Sequence, residues 1–240
     1  MRVVSLVPSL TEAVASADRS VLVGATDYCT HPADLEVARV GGSKYPTVES
    51  VLALHPDLVL ANVEENRRED VEALRAAGVL VWVSYPRTLD EAFAALAEMF
   101  DVVSLTAPRW LAEAEQVWVA PPARTLASRA LVPVWRRPWV VVGSGTFAGD
   151  LLRRLGVTHL YADSPERYPR PALDELRERR PDLLVLPNEP YEFTDSDGPE
   201  EFPGVPYALV SGRHLTWYGP SLVEARDVLT ASLSMPSVEP

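Results

Sequence analysis

The stretch from Pro56 to Val83, PDLVLANVEENRREDVEALRAAGVLVWV, limits the possible folds more than any other part of the chain. An apolar run (Leu58 to Ala61) leads into a polar turn (Asn62 to Asn66). An amphipathic segment with Val71 and Leu74 on one side follows, and then a second apolar run, Val79 to Val83. Strand, turn, helix and strand in this order is the grammar of a βαβ unit. The stretch also has an echo. Pro181 to Tyr191, PDLLVLPNEPY, repeats the Pro-Asp-Leu start, the apolar strand and an Asn-then-Glu turn. A repeated half-unit predicts two α/β lobes with facing polar turns. In open α/β sheets, turns at the carboxyl ends of parallel strands are the usual ligand positions.

The remaining elements follow in the same style. Arg2 to Val7 reads as a doubly buried strand. Ser9 with Glu12, Asn66 with Glu69 and Thr88 with Glu91 have capping-box spacing, predicting helices that begin at those points. Val21 to Gly24 reads as a second strand. Thr47 is expected to cap a short helix to Leu54, and Gly78 to close the helix before it. Trp110, Leu111, Ala114 and Val117 mark one face of a helix from Pro108, stopped by Pro121 and Pro122. Strands are expected at Ala127 to Trp135, Trp139 to Val142, His159 to Ala162, Leu183 to Leu186 and Tyr207 to Val210. Helices are expected after GSGTFAGD, from Pro171 to Arg179, and from Ser221. Two α/β lobes, 1–87 and 123–240, joined by a bridging helical segment, 88–122, account for this order.

Charge and composition exclude several classes. A formal net charge of -12 over 240 residues leaves no basic surplus for a nucleic-acid partner. No run approaches the roughly 20 apolar residues of a membrane span. Cys29 is the single cysteine, so no internal disulfide forms. The first residues, MRVVSLVPSL, do not read as a secretory signal; the expected location is cytoplasmic if the sequence is complete, and periplasmic or extracytoplasmic if a signal segment was trimmed.

The succession SLVPSLTE, VGATDYCTHP, GGSKYPTVESVLALHPDLVLANVEE, VVVGSGTFAGDLLRRLG and RRPDLLVLPNEPY resembles the class III periplasmic substrate-binding protein family. Its members bind cobalamin, haem or ferric siderophores for ABC importers. The resemblance implies two Rossmann-like lobes bridged by a helix, with a ligand in the cleft between them. It also implies a permease partner, docked through glutamates such as Glu69 on the helix after the first turn and Glu192 or another residue of the acidic turn. The chain departs from the pattern at Asn62, where cobalamin-binding relatives often carry a Trp, and in the prolines of the bridging segment.

Candidate ligand contacts follow from the turns. Ser9 stands at the start of the first helix, and Tyr28, Cys29 and His31 lie in the turn after the second strand. Asn62 and Glu65 belong to the first-lobe turn, Asn188, Glu189 and Tyr191 to its echo. Ser144 lies in a glycine-rich turn that lacks both the Walker pattern and GxGxxG spacing. Trp135, Tyr168 and Trp217 are aromatic surfaces suited to a flat ligand. Trp139, inside an apolar strand, is expected in the core. Cys29 and His31 offer a thiolate and an imidazole to a metal, or a small buried side chain and a turn residue. The leading expectation is non-catalytic binding of a corrinoid, haem or ferric chelate. The alternatives are a cytoplasmic enzyme or metal-dependent regulator using Cys29, His31, Glu65, Glu189 and His214, and a partner-binding domain using the acidic surface.

Overall fold

A computed structural model describes residues 1–119 and 127–237. The chain divides into two compact units. Unit 1 comprises Met1–Pro86, Asp90–Ala112 and the short stretch Tyr218–Pro220; unit 2 comprises Arg87–Leu89, Glu113–Trp217 and the segment from Ser221 onward.

Unit 1 contains β1 (Val3–Ser5), β2 (Leu22–Ala25), β3 (Ala38–Arg39), β4 (Leu58–Asn62) and β5 (Leu80–Ser84), with helices α1 (Pro8–Asp18), α2 (Val48–Ala53), α3 (Arg68–Ala76) and, from its second residue on, α4 (Leu89–Val103). Its strands are all parallel in the order β3-β2-β1-β4-β5. The order reverses between β1 and β4, the kind of switch point where such sheets open a crevice. Every residue of β1 and β4 is buried, which is why both are apolar up to their last residues, Ser5 and Asn62. Val4, Leu6, Val59, Ala61, Val71 and Leu74 form the core between sheet and helices. Gly78, at φ 87°, ends the α3 turn as expected.

Helix α5 (Arg109–Val119) passes from one unit to the other at Ala112. Unit 2 then contains β6 (Ala127–Leu131), β7 (Pro133–Trp135), β8 (Val140–Val141), α6 (Phe147–Arg154), β9 (Val157–His159), α7 (Leu173–Glu178), β10 (Leu183–Pro187), β11 (Tyr207–Val210), α8 (Gly212–Thr216) and α9 (Leu222–Ser234). Four strands form a second parallel sheet, β11-β10-β6-β9, while β7 and β8 pair antiparallel. Trp139 lies in the core, stacked on Phe193 at 6.1 Å and edge-on to Phe202 at 5.9 Å.

Both sheets match the α/β expectation, but several local readings change. Helix α1 starts at Pro8, with Val7 at the cap position and no side-chain cap, so Ser9 sits inside the first turn; proline at the first helical position needs no amide partner. Helix α3 starts at Arg68 without a side-chain cap, because the Asn66 amide is used elsewhere. The strand expected from Ala127 to Trp135 is two strands, interrupted before Pro133, which has no amide to give a ladder. Strand β3 and helix α8 were not foreseen. Pro121 and Pro122 lie outside the described residues.

Candidate functional site

At the carboxyl edge of unit 1 the loops after β1, β3, β4 and β5 are tied by a buried polar network. Asn62, the last residue of β4 and only 3% exposed, donates through Nδ2 to the Tyr218 hydroxyl at 2.7 Å and to Ser84 Oγ at 3.2 Å. Its Oδ1 accepts the Glu64 amide at 2.7 Å. Asn66 Oδ1 accepts the Asn62 amide at 2.8 Å, and its Nδ2 donates to Ser43 O at 2.9 Å and Leu6 O at 3.3 Å. Ser84 Oγ donates to Ala61 O at 3.2 Å. With its proton spent there, Ser84 accepts from Tyr218 across 2.7 Å. Burial pushes the Tyr218 phenol well above its ordinary pKa, and the nearby Glu65 charge adds to the rise. Asn62, one of the expected ligand contacts, is therefore a structural tie whose side-chain amide is engaged on both its oxygen and its nitrogen. Ser9 is also buried, its Oγ without a hydrogen-bond partner.

The rim of this edge is different in character. Tyr28 after β2, Tyr45 after β3 and Tyr85 after β5 are 66%, 71% and 43% exposed, and Val63 after β4 is 51% exposed. The Arg67 guanidinium lies 4.6 Å from the Tyr45 ring centroid, and Lys44 Nζ donates to Glu64 O. Cys29, by contrast, is turned inward. Its Sγ accepts from Thr11 Oγ1 at 3.0 Å and contacts Thr26 Oγ1 at 3.2 Å, and burial pushes its thiol pKa up. Burial opposes the thiolate a metal would take, and the hydrogen bonds to Thr11 and Thr26 offset only part of that rise. His31, half-buried, places Nδ1 3.1 Å from Thr30 Oγ1. Glu65 is half-buried near the rim.

In unit 2 the turn after β10 is closed by backbone. Asn188, exposed, accepts the Gly212 amide at 2.8 Å, and a Cβ at Gly212 would stand 2.3 Å from Glu189 Cγ and 2.7 Å from Glu189 O. Glu189 is half-buried, with Oε1 unpartnered. Burial raises its pKa, opposed by Arg213, the Trp217 hydrogen bond and His214. Trp217 is buried and so offers no open face. Ser211 Oγ and Glu224 Oε1 lie 2.7 Å and 3.0 Å from the two ring nitrogens of His214. Trp135, 44% exposed, meets Tyr191 edge-on at 5.7 Å, and the Tyr191 hydroxyl donates to Asp197 at 2.5 Å. Tyr168 is half-buried. The glycine-rich turn is a tight one. A Cβ at Gly143 would strike Glu166 O at 2.1 Å, Ser144 Oγ donates to Ser164 O at 2.5 Å, and Thr146 caps α6.

A family model described as periplasmic binding protein matches residues 3–203. The chain belongs to the periplasmic binding protein family. Curated relatives of the chain include the vitamin B12-binding protein of Vibrio cholerae serotype O1, 24% identical over 194 residues (76% of this chain, 69% of that one). That of Yersinia pestis is 26% identical over 200 residues (77% and 69%). Among solved structures, a possible iron-binding (periplasmic solute-binding) protein from Staphylococcus epidermidis superposes with a TM-score of 0.77 at 19% identity, covering 98% of both chains. A periplasmic heme-binding protein from Roseiflexus gives 0.73 at 18% identity, covering 97% of both. These structural neighbours establish the two-lobed α/β fold.

Two rim residues, Tyr45 and Tyr85, were not singled out from sequence. A signal existed: each precedes a proline, in KYPT and SYPR. Proline biases the residue before it away from helix toward extended backbone, so a Tyr-Pro pair after a strand holds its ring on a loop. Among the described residues, no group of three His, Cys, Asp or Glu side chains is arranged to hold a metal ion. Nor is any helix there long and apolar enough to cross a membrane.

Proposed function

We propose that the protein is a non-catalytic substrate-binding protein for an ABC importer, acting outside the cytoplasm, with a large flat ligand of the corrinoid, haem or ferric-chelate type. One observation carries the reading. Of the four exposed aromatic rings among the described residues, Tyr28, Tyr45 and Tyr85 lie beyond the carboxyl ends of the parallel strands β2, β3 and β5, and Trp135 ends β7, the short strand that follows parallel β6. Exposed aromatic surface costs solubility without contributing to the core, and its concentration at ligand-bearing edges suits face contact with a planar macrocycle. The family and the vitamin B12-binding relatives support the same class. They lend no support to the cytoplasmic alternative. Importer docking would use exposed carboxylates such as Glu69, whose side chain is 68% exposed at the start of α3, and Glu192.

Titration with hemin, cyanocobalamin and a ferric hydroxamate siderophore, read by melting temperature, tests the ligand class. Ligand at a hundredfold excess over Kd stabilises the folded state by about 2.7 kcal/mol, a clear upward shift. No shift with any of the three sinks the proposal.

A further inference from the structure

We infer that Tyr218 is a positioning residue that holds the Val63–Glu65 turn in the conformation that meets ligand. The inference rests on the binding reading for what the turn presents, but the hold itself is independent of any ligand. The side-chain amide of Asn62 can adopt two orientations differing by a half-turn, and the neighbouring groups choose between them. Ser84 Oγ gives its proton to Ala61 O, so the Tyr218 hydroxyl must give its own to Ser84. The Tyr218 oxygen then requires a donor, which Asn62 Nδ2 supplies at 2.7 Å. Nδ2 is thereby fixed toward Tyr218 and Oδ1 toward the Glu64 amide, 2.7 Å away. In the opposite orientation two N–H donors would meet at Glu64. The Tyr218 hydroxyl thus supplies the shorter of the two acceptors that hold the Asn62 amide in this orientation, Ser84 Oγ at 3.2 Å being the other, and so ties the turn after β4 to its strand.

The far side of the turn is anchored independently, by Lys44 Nζ on Glu64 O and by Asn66 on Leu6 and Ser43. Between the anchors, Val63 is exposed and Glu65 half-buried. Tyr218 reaches this edge because Gly219 passes close over Ser9, where a Cβ would lie 3.1 Å from Ser9 O. The stretch Tyr218–Pro220 so belongs to unit 1 while its flanking residues belong to unit 2. A residue far along the chain sets the turn that the βαβ unit displays.

Amide hydrogen exchange of the full chain without ligand, comparing wild type with Tyr218→Phe, tests the assignment. Removing only the hydroxyl keeps the buried ring. Exchange at the Glu64 amide is expected to accelerate about tenfold, with Val59 and Leu60 in β4 unchanged. Ser84→Ala, which removes the acceptor that orders the hydroxyl, is expected to do the same and serves if Tyr218→Phe does not fold. Unaltered Glu64 exchange in both variants overturns the inference. Hemin or cyanocobalamin, whichever binds wild type, should bind Tyr218→Phe about tenfold more weakly through faster dissociation; equal affinity overturns the ligand-presenting role. Accelerated exchange with neither probe bound by wild type supports the hold on the turn and sinks only the binding reading.

Discussion

The turns after β4 and β10 begin from nearly the same words, PDLVLAN and PDLLVLPN, yet their asparagines have opposite fates. Asn62 is buried and tied at both ends of its amide, whereas Asn188 is exposed and makes one bond to the Gly212 amide. The second version carries one extra residue before its asparagine. Side chains alternate across a strand with a period of two, so a single-residue offset moves a side chain to the other face. Pro187, buried, stands where Asn62 does, and exposed Val63 stands where Asn188 does. Repeated sequence therefore reproduced the strand but not the function of its last polar residue. The two turns are closed by different means: a side-chain network completed by Tyr218 in unit 1, and bare backbone contact at Gly212 in unit 2.

The largest contrast is expected from adding one carbon at the glycine that packs closely in each unit, Gly212 against the turn after β10 and Gly219 beside Tyr218. Gly212→Ala forces a Cβ to within 2.3 Å of Glu189 Cγ and 2.9 Å of its amide nitrogen, and overpacking against backbone should cost about 3 kcal/mol in urea denaturation. Gly219→Ala meets Ser9 O at 3.1 Å and should cost less, about 1 kcal/mol. Equal costs would mean that backbone contact does not distinguish the units.

Truncating the asparagines comes next in size. Asn62→Ala leaves the Glu64 amide, Ser84 and Tyr218 each short of a partner in a buried place, a loss of about 2 kcal/mol. Asn188→Ala removes one bond at an exposed position and should cost about 0.5 kcal/mol. Similar values for both would show that the offset has no energetic meaning.

These contrasts mark where the chain was legible. The inner strands β1, β4 and β10 were readable because two buried faces force nearly continuous apolar composition; the edge strands β5 and β11 are apolar too although Leu80 and Leu209 are exposed, and all five stand within a residue or two of where the apolar runs placed them. Helix starts were less readable. Ser9 and Asn66 have capping spacing, but capping competes with other uses of a short polar side chain. Pro8 pre-empted one start and the carbonyls of Leu6 and Ser43 captured the other side chain. The rim was half legible: Tyr28 and Trp135 stood out, while Tyr45 and Tyr85 needed the Tyr-Pro pairing to be noticed. Tyr218 was not legible as part of unit 1 at all, because no local pattern reveals which strand ends a distant hydroxyl will join. Trp217 illustrates the same limit, since its neighbours suggested an open ring and the fold buries it against Glu189.

The smallest predicted effect concerns charge in the unit 2 turn. Burial raises the pKa of Glu189 above the ordinary value of about 4.3, and Arg213, Trp217 and His214 offset only part of that rise. A carboxyl whose folded pKa is raised binds its proton more tightly in the folded than in the unfolded state. Its protonation therefore favours folding, and that contribution is lost as pH rises from the unfolded value through the folded one. At neutral pH the wild type carries a half-buried carboxylate with an oxygen that no donor meets. Glu189→Gln keeps the shape and an acceptor for Trp217 but has nothing to ionise. The variant should melt at higher temperature than wild type at pH 7, and the advantage should shrink as pH falls and the Glu189 carboxyl takes up its proton. Other carboxylates titrate in the same interval, so the informative quantity is the difference between the two melting curves at each pH. A constant difference from pH 4 to pH 8 would mean that Glu189 bears no charge penalty, leaving the backbone contact at Gly212 as the turn's one distinguishing constraint.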